Sequence, residues 1–126
     1  MPVKGLGDYD PTNIFARILR GEIPSRRVFE NEFAVAFHEI APQAPIHVLV
    51  IPRGPYVSLA DFTADASDAD IAGFFRAVAE VARGLDLEVP GYRVLSNMGE
   101  NAGQEVPHFH VHLFGGRVLG RMLEQV

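Results

Sequence analysis

From Val106 to Phe114 the chain reads Val-Pro-His-Phe-His-Val-His-Leu-Phe, and this strict alternation of imidazole with apolar side chains is the strongest constraint in the sequence. A period of two belongs to an extended strand, where successive side chains leave opposite faces and i, i+2 positions lie roughly 6.6 Å apart. His108, His110 and His112 then line one face while Phe109, Val111 and Leu113 fill the other. The apolar face demands a core to cover it. The polar face gathers three of the chain's five histidines into one row. Full protonation of that row would be repulsive, so some of the rings are neutral near pH 7 and keep one nitrogen as acceptor or nucleophile.

The remaining segments supply that core. Thr12 or Asn13 caps a short helix with Ile14, Phe15, Ile18 and Leu19 on one face and Gly21 as its stop. Arg27 to Glu30 and Phe33 to His38 are β-rich and separated by Asn31 and Glu32, which suits a tight antiparallel hairpin. Ile46 to Ile51, bracketed by Pro45 and Pro52, is apolar except for His47 and predicts a central strand with one polar intruder. Ser67 and Asp70 resemble a capping box, after which Ile71, Phe74, Phe75, Val78, Val81, Ala82 and Leu85 recur at helical spacing. Tyr92 to Ser96 and Val106 to Phe114 predict two more strands, joined by the polar loop Asn97 to Glu105. These elements predict one α+β domain with a mainly antiparallel sheet of about five strands and two helices, spanning residues 1–126, with 1–11 as a flexible N-terminal segment.

Composition narrows the function classes. At 126 residues and 48% hydrophobic content the chain can bury a core without disulfides or metal. Cysteine is absent, which removes disulfide frameworks, thiolate zinc sites and cysteine nucleophiles and fits a reducing compartment, with the cytoplasm expected. No run of about 18 apolar residues predicts a membrane span, and residues 1–10 lack the apolar run of a signal peptide. A formal charge of −5 argues against a broad nucleic-acid surface. A small anion needs only a few donors aimed at one point. No Gly-rich strand-to-helix phosphate loop is present, so neither a dinucleotide fold nor a Walker motif is supported.

Two chemistries suit the histidine row. A neutral imidazole can attack phosphorus, because an unperturbed pKa of about 6.5 leaves it unprotonated as it attacks and a fair leaving group from an N-phosphoryl intermediate. A neighbouring ring can hold its tautomer, and another, protonated, can serve the leaving group and the phosphoryl oxygens. His47 is a fourth member if its strand lies beside the last one. Alternatively, a His-x-His pair and a third imidazole make an open zinc site, though no carboxylate follows at a suitable spacing.

The row resembles the signature of the histidine triad family, preceded by Gly103-Gln104-Glu105-Val106. The likeness extends through Asn13-Ile14-Phe15, Gly21-Glu22-Ile23-Pro24, Ala36-Phe37-His38-Glu39-Ile40-Ala41-Pro42-Gln43-Ala44-Pro45, His47-Val48-Leu49-Val50-Ile51-Pro52, Gly91-Tyr92-Arg93 and Gly115-Gly116-Arg117, in the order of the family's Hint branch. The resemblance implies a homodimer with its sheet continued across the interface. It also implies a hydrolase or nucleotidyl transferase working through a nucleotidyl-histidine intermediate. His110 would be the nucleophile, His112 a phosphate contact, and His108 with His47 the rings that orient them. It further places a base and ribose pocket at Ile14, Phe15, Ile18, Phe37, His38, Glu39 and Ile40, and phosphate contacts at Asn97, Gly103, Gln104, Glu105 and Val106.

The expected substrates are purine nucleoside 5′-phosphoramidates, AMP or GMP derivatives, with dinucleoside polyphosphates or a slow nucleotide-binding regulatory module as alternatives. No cofactor and no metal are expected, because Asn13-Ile14-Phe15-Ala16 replaces the cysteines of the family's zinc-bearing members. Glu105 stands where some relatives carry a hydroxyl, and its carboxylate would oppose an anion, leaving its backbone N–H to serve. Glu39 replaces an Asp often set opposite the ribose. The tail Val118 to Val126 lacks the Trp that Hint-like relatives place near the leaving group.

Overall fold

The period of the apolar residues sets most of the elements, though not every boundary. A computed structural model describes residues 3–124, in the order α1 (Ile14–Leu19), β1 (Arg27–Glu30), β2 (Ala34–His38), β3 (Ile46–Pro52), α2 (Leu59–Asp65), α3 (Asp68–Gly84), β4 (Arg93–Leu95) and β5 (Val111–Gly115). The strands form one five-stranded sheet, β1-β2-β3-β5-β4, with every neighbouring pair antiparallel. The ends of the N-terminal segment and of the Trp-free tail, residues 1–2 and 125–126, lie outside the described residues.

Alternation on β2 and β3 sorts two cores onto the two faces of the sheet. Ala34, Ala36, Val48 and Val50 join Phe62 of α2 and Phe74, Ala77, Val78, Val81 and Ala82 of α3 in the larger one. Val35, Phe37, Leu49 and Ile51 meet Phe15 and Ile18 of α1 in the smaller one. Small residues on β2 let the long helix come close, and at Gly73 a Cβ would lie 2.4 Å from the Phe33 ring. Phe62, Phe74 and Phe109 are essentially inaccessible and pack ring on ring, with Phe109 stacked on Phe62 at 4.9 Å. Burial of each contributes about 1.5–3 kcal/mol.

The described residues form three helices where the sequence pattern predicted two. The additional one, α2, is a single short piece whose amphipathic period is too brief to stand out. Its signal is local: Ser58 and Asp61 form a reciprocal capping box. At α3 the Ser67 side chain accepts from the Asp70 N–H as a simple N-cap. Among the described residues no helix is long and apolar enough to cross a membrane.

The last strand is shorter than its sequence period. β5 begins at Val111, because the Phe109 N–H turns aside to donate to the Tyr56 carbonyl and Pro107 has no N–H to offer a ladder. β4 likewise keeps only Arg93–Leu95 of the predicted Tyr92–Ser96. Alternation nonetheless survives beyond the ladder. Phe109, Val111 and Leu113 join the larger core, while the rings of His108 and His110 both meet Phe15 of α1.

Candidate active site

The register of β3 against β5 opposes Leu49 to His112 and His47 to Phe114, so His47 and His112 are diagonal neighbours on the α1 side of the sheet. Their rings meet through His47 Nε2 and His112 Nδ1 at 2.9 Å. The His110 ring lies 5.0 Å from that of His112, with Phe15 edge-on to it at 4.9 Å. The fold therefore gathers all four expected histidines on one face.

Backbone partners fix which nitrogen carries each proton. The Gln43 N–H donates to His47 Nδ1, so neutral His47 has its proton on Nε2 and donates to His112 Nδ1. His112 then carries its own proton on Nε2, as a donor. His110 runs the other way: its Nδ1 lies 2.7 Å from the His108 carbonyl, which only accepts, so Nδ1 holds the proton and Nε2 keeps a lone pair. His108 Nε2 donates to the Pro52 carbonyl at 2.9 Å, and its Nδ1 accepts from the Tyr9 hydroxyl at 2.6 Å. Ser96 Oγ donates to the His110 carbonyl. Among the described residues no buried side-chain nitrogen or oxygen lacks a partner, so His110 Nε2 must be reachable from outside the protein.

Electrostatics keep these rings neutral. Burial is the leading cause of a lowered pKa at all four, taking His108 and His112 down to about 4. The neighbouring rings add to this at His112 and His108, whereas Glu39 pulls His47 and His110 back upward. With its ring neutral, His112 faces the site as an N–H donor. Among the described residues no three His, Cys, Asp or Glu side chains converge as a metal-holding group.

His47, His110 and His112 open onto a cavity of about 750 Å³, inside the roughly 300–1,000 Å³ span of small-molecule sites. Ile14, Phe15, Ile18, Phe37, His38, Glu39, Ile40, Asn97, Gly103, Glu105 and Val106 line it as well. Of the site residues expected from sequence, only His108 and Gln104 do not. His108 lies behind the wall, fully buried. The Gln104 side chain turns into its own loop, donating to the carbonyls of Val57 and Val106 and accepting from the Gly99 N–H. The N–H groups of Gly103 and Gln104 also close the loop on Glu100 and Gly99, while those of Glu105 and Val106 bond to no other described residue.

Several lining residues were not foreseen: Ile23, Pro24, Ser25, Arg26, Ala41, Pro42, Gln43 and Leu49. Most sit on the connections flanking β1 and following β2, where no period marks orientation. Gln43 could have been suspected only by knowing that its N–H meets His47. Ile14, with 43% exposure, belongs to the cavity rim and not to the core.

Comparison with known proteins adds to this geometry. The family model described as HIT domain matches residues 20–119. An uncharacterized HIT-like protein of Azospirillum brasilense is 64% identical over 115 residues, covering 91% of this chain and 94% of the relative. A purine nucleoside phosphoramidase of Escherichia coli is 40% identical over 110 residues, covering 87% and 92%. Among solved structures, a HIT family hydrolase from Clostridium thermocellum superposes with a TM-score of 0.78 at 33% identity, covering 89% of this chain and 97% of that one.

Proposed function

This chain belongs to the HIT domain family, and from that premise we propose that it is a hydrolase that cleaves purine nucleoside 5′-phosphoramidates through a nucleotidyl-His110 intermediate. One observation carries the proposal: the His108 carbonyl holds the proton of His110 on Nδ1, which leaves the Nε2 lone pair for phosphorus. The name of the Escherichia coli relative supports the choice of phosphoramidates. Nε2 attacks the phosphorus, the bond to the leaving nitrogen breaks, and the amine departs with a proton drawn from solvent. Water then attacks the same phosphorus, the P–Nε2 bond breaks to restore neutral His110, the proton lost by the water returns to solvent and the nucleoside monophosphate leaves, so the cycle consumes only water. His112 Nε2–H donates to the phosphoryl oxygens, and the N–H groups of Glu105 and Val106, cavity-lining residues, would assist. The apolar wall of Ile14, Phe15, Ile18 and Phe37 suits a flat base, and Glu39 suits ribose hydroxyls.

His110→Ala should lower kcat by several orders of magnitude while leaving nucleotide binding within a few-fold. Mass spectrometry should locate the trapped nucleotide on His110; an adduct elsewhere, or turnover that survives the substitution, would sink the mechanism. A panel of phosphoramidates and dinucleoside polyphosphates assigns the substrate class. Turnover far below about 1 s⁻¹ on all of them would favour a regulatory nucleotide-binding role.

A further inference from the structure

We propose that Tyr9 is a positioning residue for the reaction, its hydroxyl fixing the orientation and tautomer of His108 so that the His108 carbonyl can hold His110 with Nε2 free. The inference rests on His110 as nucleophile but concerns a residue outside the triad, on the segment before α1. Tyr9 Oη lies 2.6 Å from His108 Nδ1, and the two rings meet edge to face with centroids 5.6 Å apart. His108 has two ring nitrogens and both are committed. Nε2 must donate, since its partner is the Pro52 carbonyl. Nδ1 of the neutral ring must then accept, and Tyr9 is its donor. The fully buried ring is thus held at both ends, and the carbonyl of the same residue takes the His110 Nδ1 proton at 2.7 Å. Burial raises the Tyr9 pKa, so the hydroxyl stays protonated as a donor.

The segment is seated well enough to hold Tyr9 in place. After Tyr9, Asp10 accepts from the Thr12 N–H and hydroxyl through Oδ1, and its carbonyl accepts from the Asn13 side chain. Before it, the Gly5 carbonyl accepts from buried Ser58 Oγ at 2.6 Å. Gly5 itself has φ near +79°, and a Cβ there would lie 2.9 Å from Met98 Cγ, in the loop that carries Gly103 to Val106. Residues of the stretch expected from sequence to be a flexible N-terminal segment thus touch the start of α2, the phosphate-side loop and the triad. Removing the hydroxyl would leave His108 Nδ1 buried without a partner. The ring would turn or change tautomer to find one, carrying the His108 carbonyl with it.

Tyr9→Phe keeps the ring contact and removes only the donor. Long-range proton–nitrogen NMR on the whole chain should find His108 Nδ1 unprotonated and hydrogen-bonded in the wild type, and displaced in the variant. With adenosine phosphoramidate as substrate, kcat should fall about tenfold or more from misplacement of the nucleophile, with KM within about twofold. Unchanged His108 signals overturn the proposal, as does an unchanged kcat in a variant whose signals have moved, or a rise in KM that accounts for the whole loss. If the wild type turns over no phosphoramidate, the function proposed above fails, and the NMR comparison still decides whether Tyr9 sets the state of His108.

Discussion

His108 shows what a single buried ring contributes. Its pKa falls from the ordinary 6.5 to about 4, chiefly because burial penalises the cation. Below pH 6.5 the unfolded chain binds a proton there that the folded chain refuses, so native stability is complete above that pH and falls as the pH drops toward 4. The loss from His108 alone is on the order of 3 kcal/mol across the window. Chemical denaturation between pH 7 and pH 5, above the range where ordinary carboxylates titrate, should show stability falling with acid. A flat profile there would contradict the neutral, buried state of the ring.

Elements act here as registers and spacers. β3 and β5 align His47 diagonally to His112, and α1 presses Phe15 against the outer side of His110. Behind the row, Phe109 anchors the stretch that has left the ladder by stacking among Phe62 and Phe74. Phe109→Ala should cost about 3–5 kcal/mol of stability, read by urea unfolding, because it opens a cavity beneath α2 and α3. Activity should fall more than that loss alone explains, since the backbone of both His108 and His110 flanks the void. A variant with wild-type stability would show that the core does not rely on this ring.

For the whole molecule, the two edges of the sheet differ. β1 carries Arg27 paired with Glu30, a charged edge that discourages pairing. β4 offers an outer edge with Val94 42% exposed and, just before the strand, Tyr92 37% exposed. The family resemblance implies a homodimer with a continuous sheet, and if the sheet continues through this edge, two copies pair along β4 and hide it. Light scattering should then report about twice the 13.8 kDa chain mass. A monomer at micromolar concentration would defeat that arrangement.

The sequence by itself determined the strands, the long helix and the one-sided row of imidazoles, because each is written in a local period of two or near 3.6 that backbone geometry translates directly. It also placed His47 conditionally beside the row, and the β3–β5 register met that condition. Tertiary structure alone decided which nitrogens hold protons, since those partners are the backbone groups of Gln43, Pro52 and His108 and the distant hydroxyl of Tyr9. It likewise turned Gln104 inward and joined the N-terminal segment to the triad. Such contacts span up to 99 positions of sequence and leave no period behind. They are settled when the chain closes on itself and every buried polar group must find a partner.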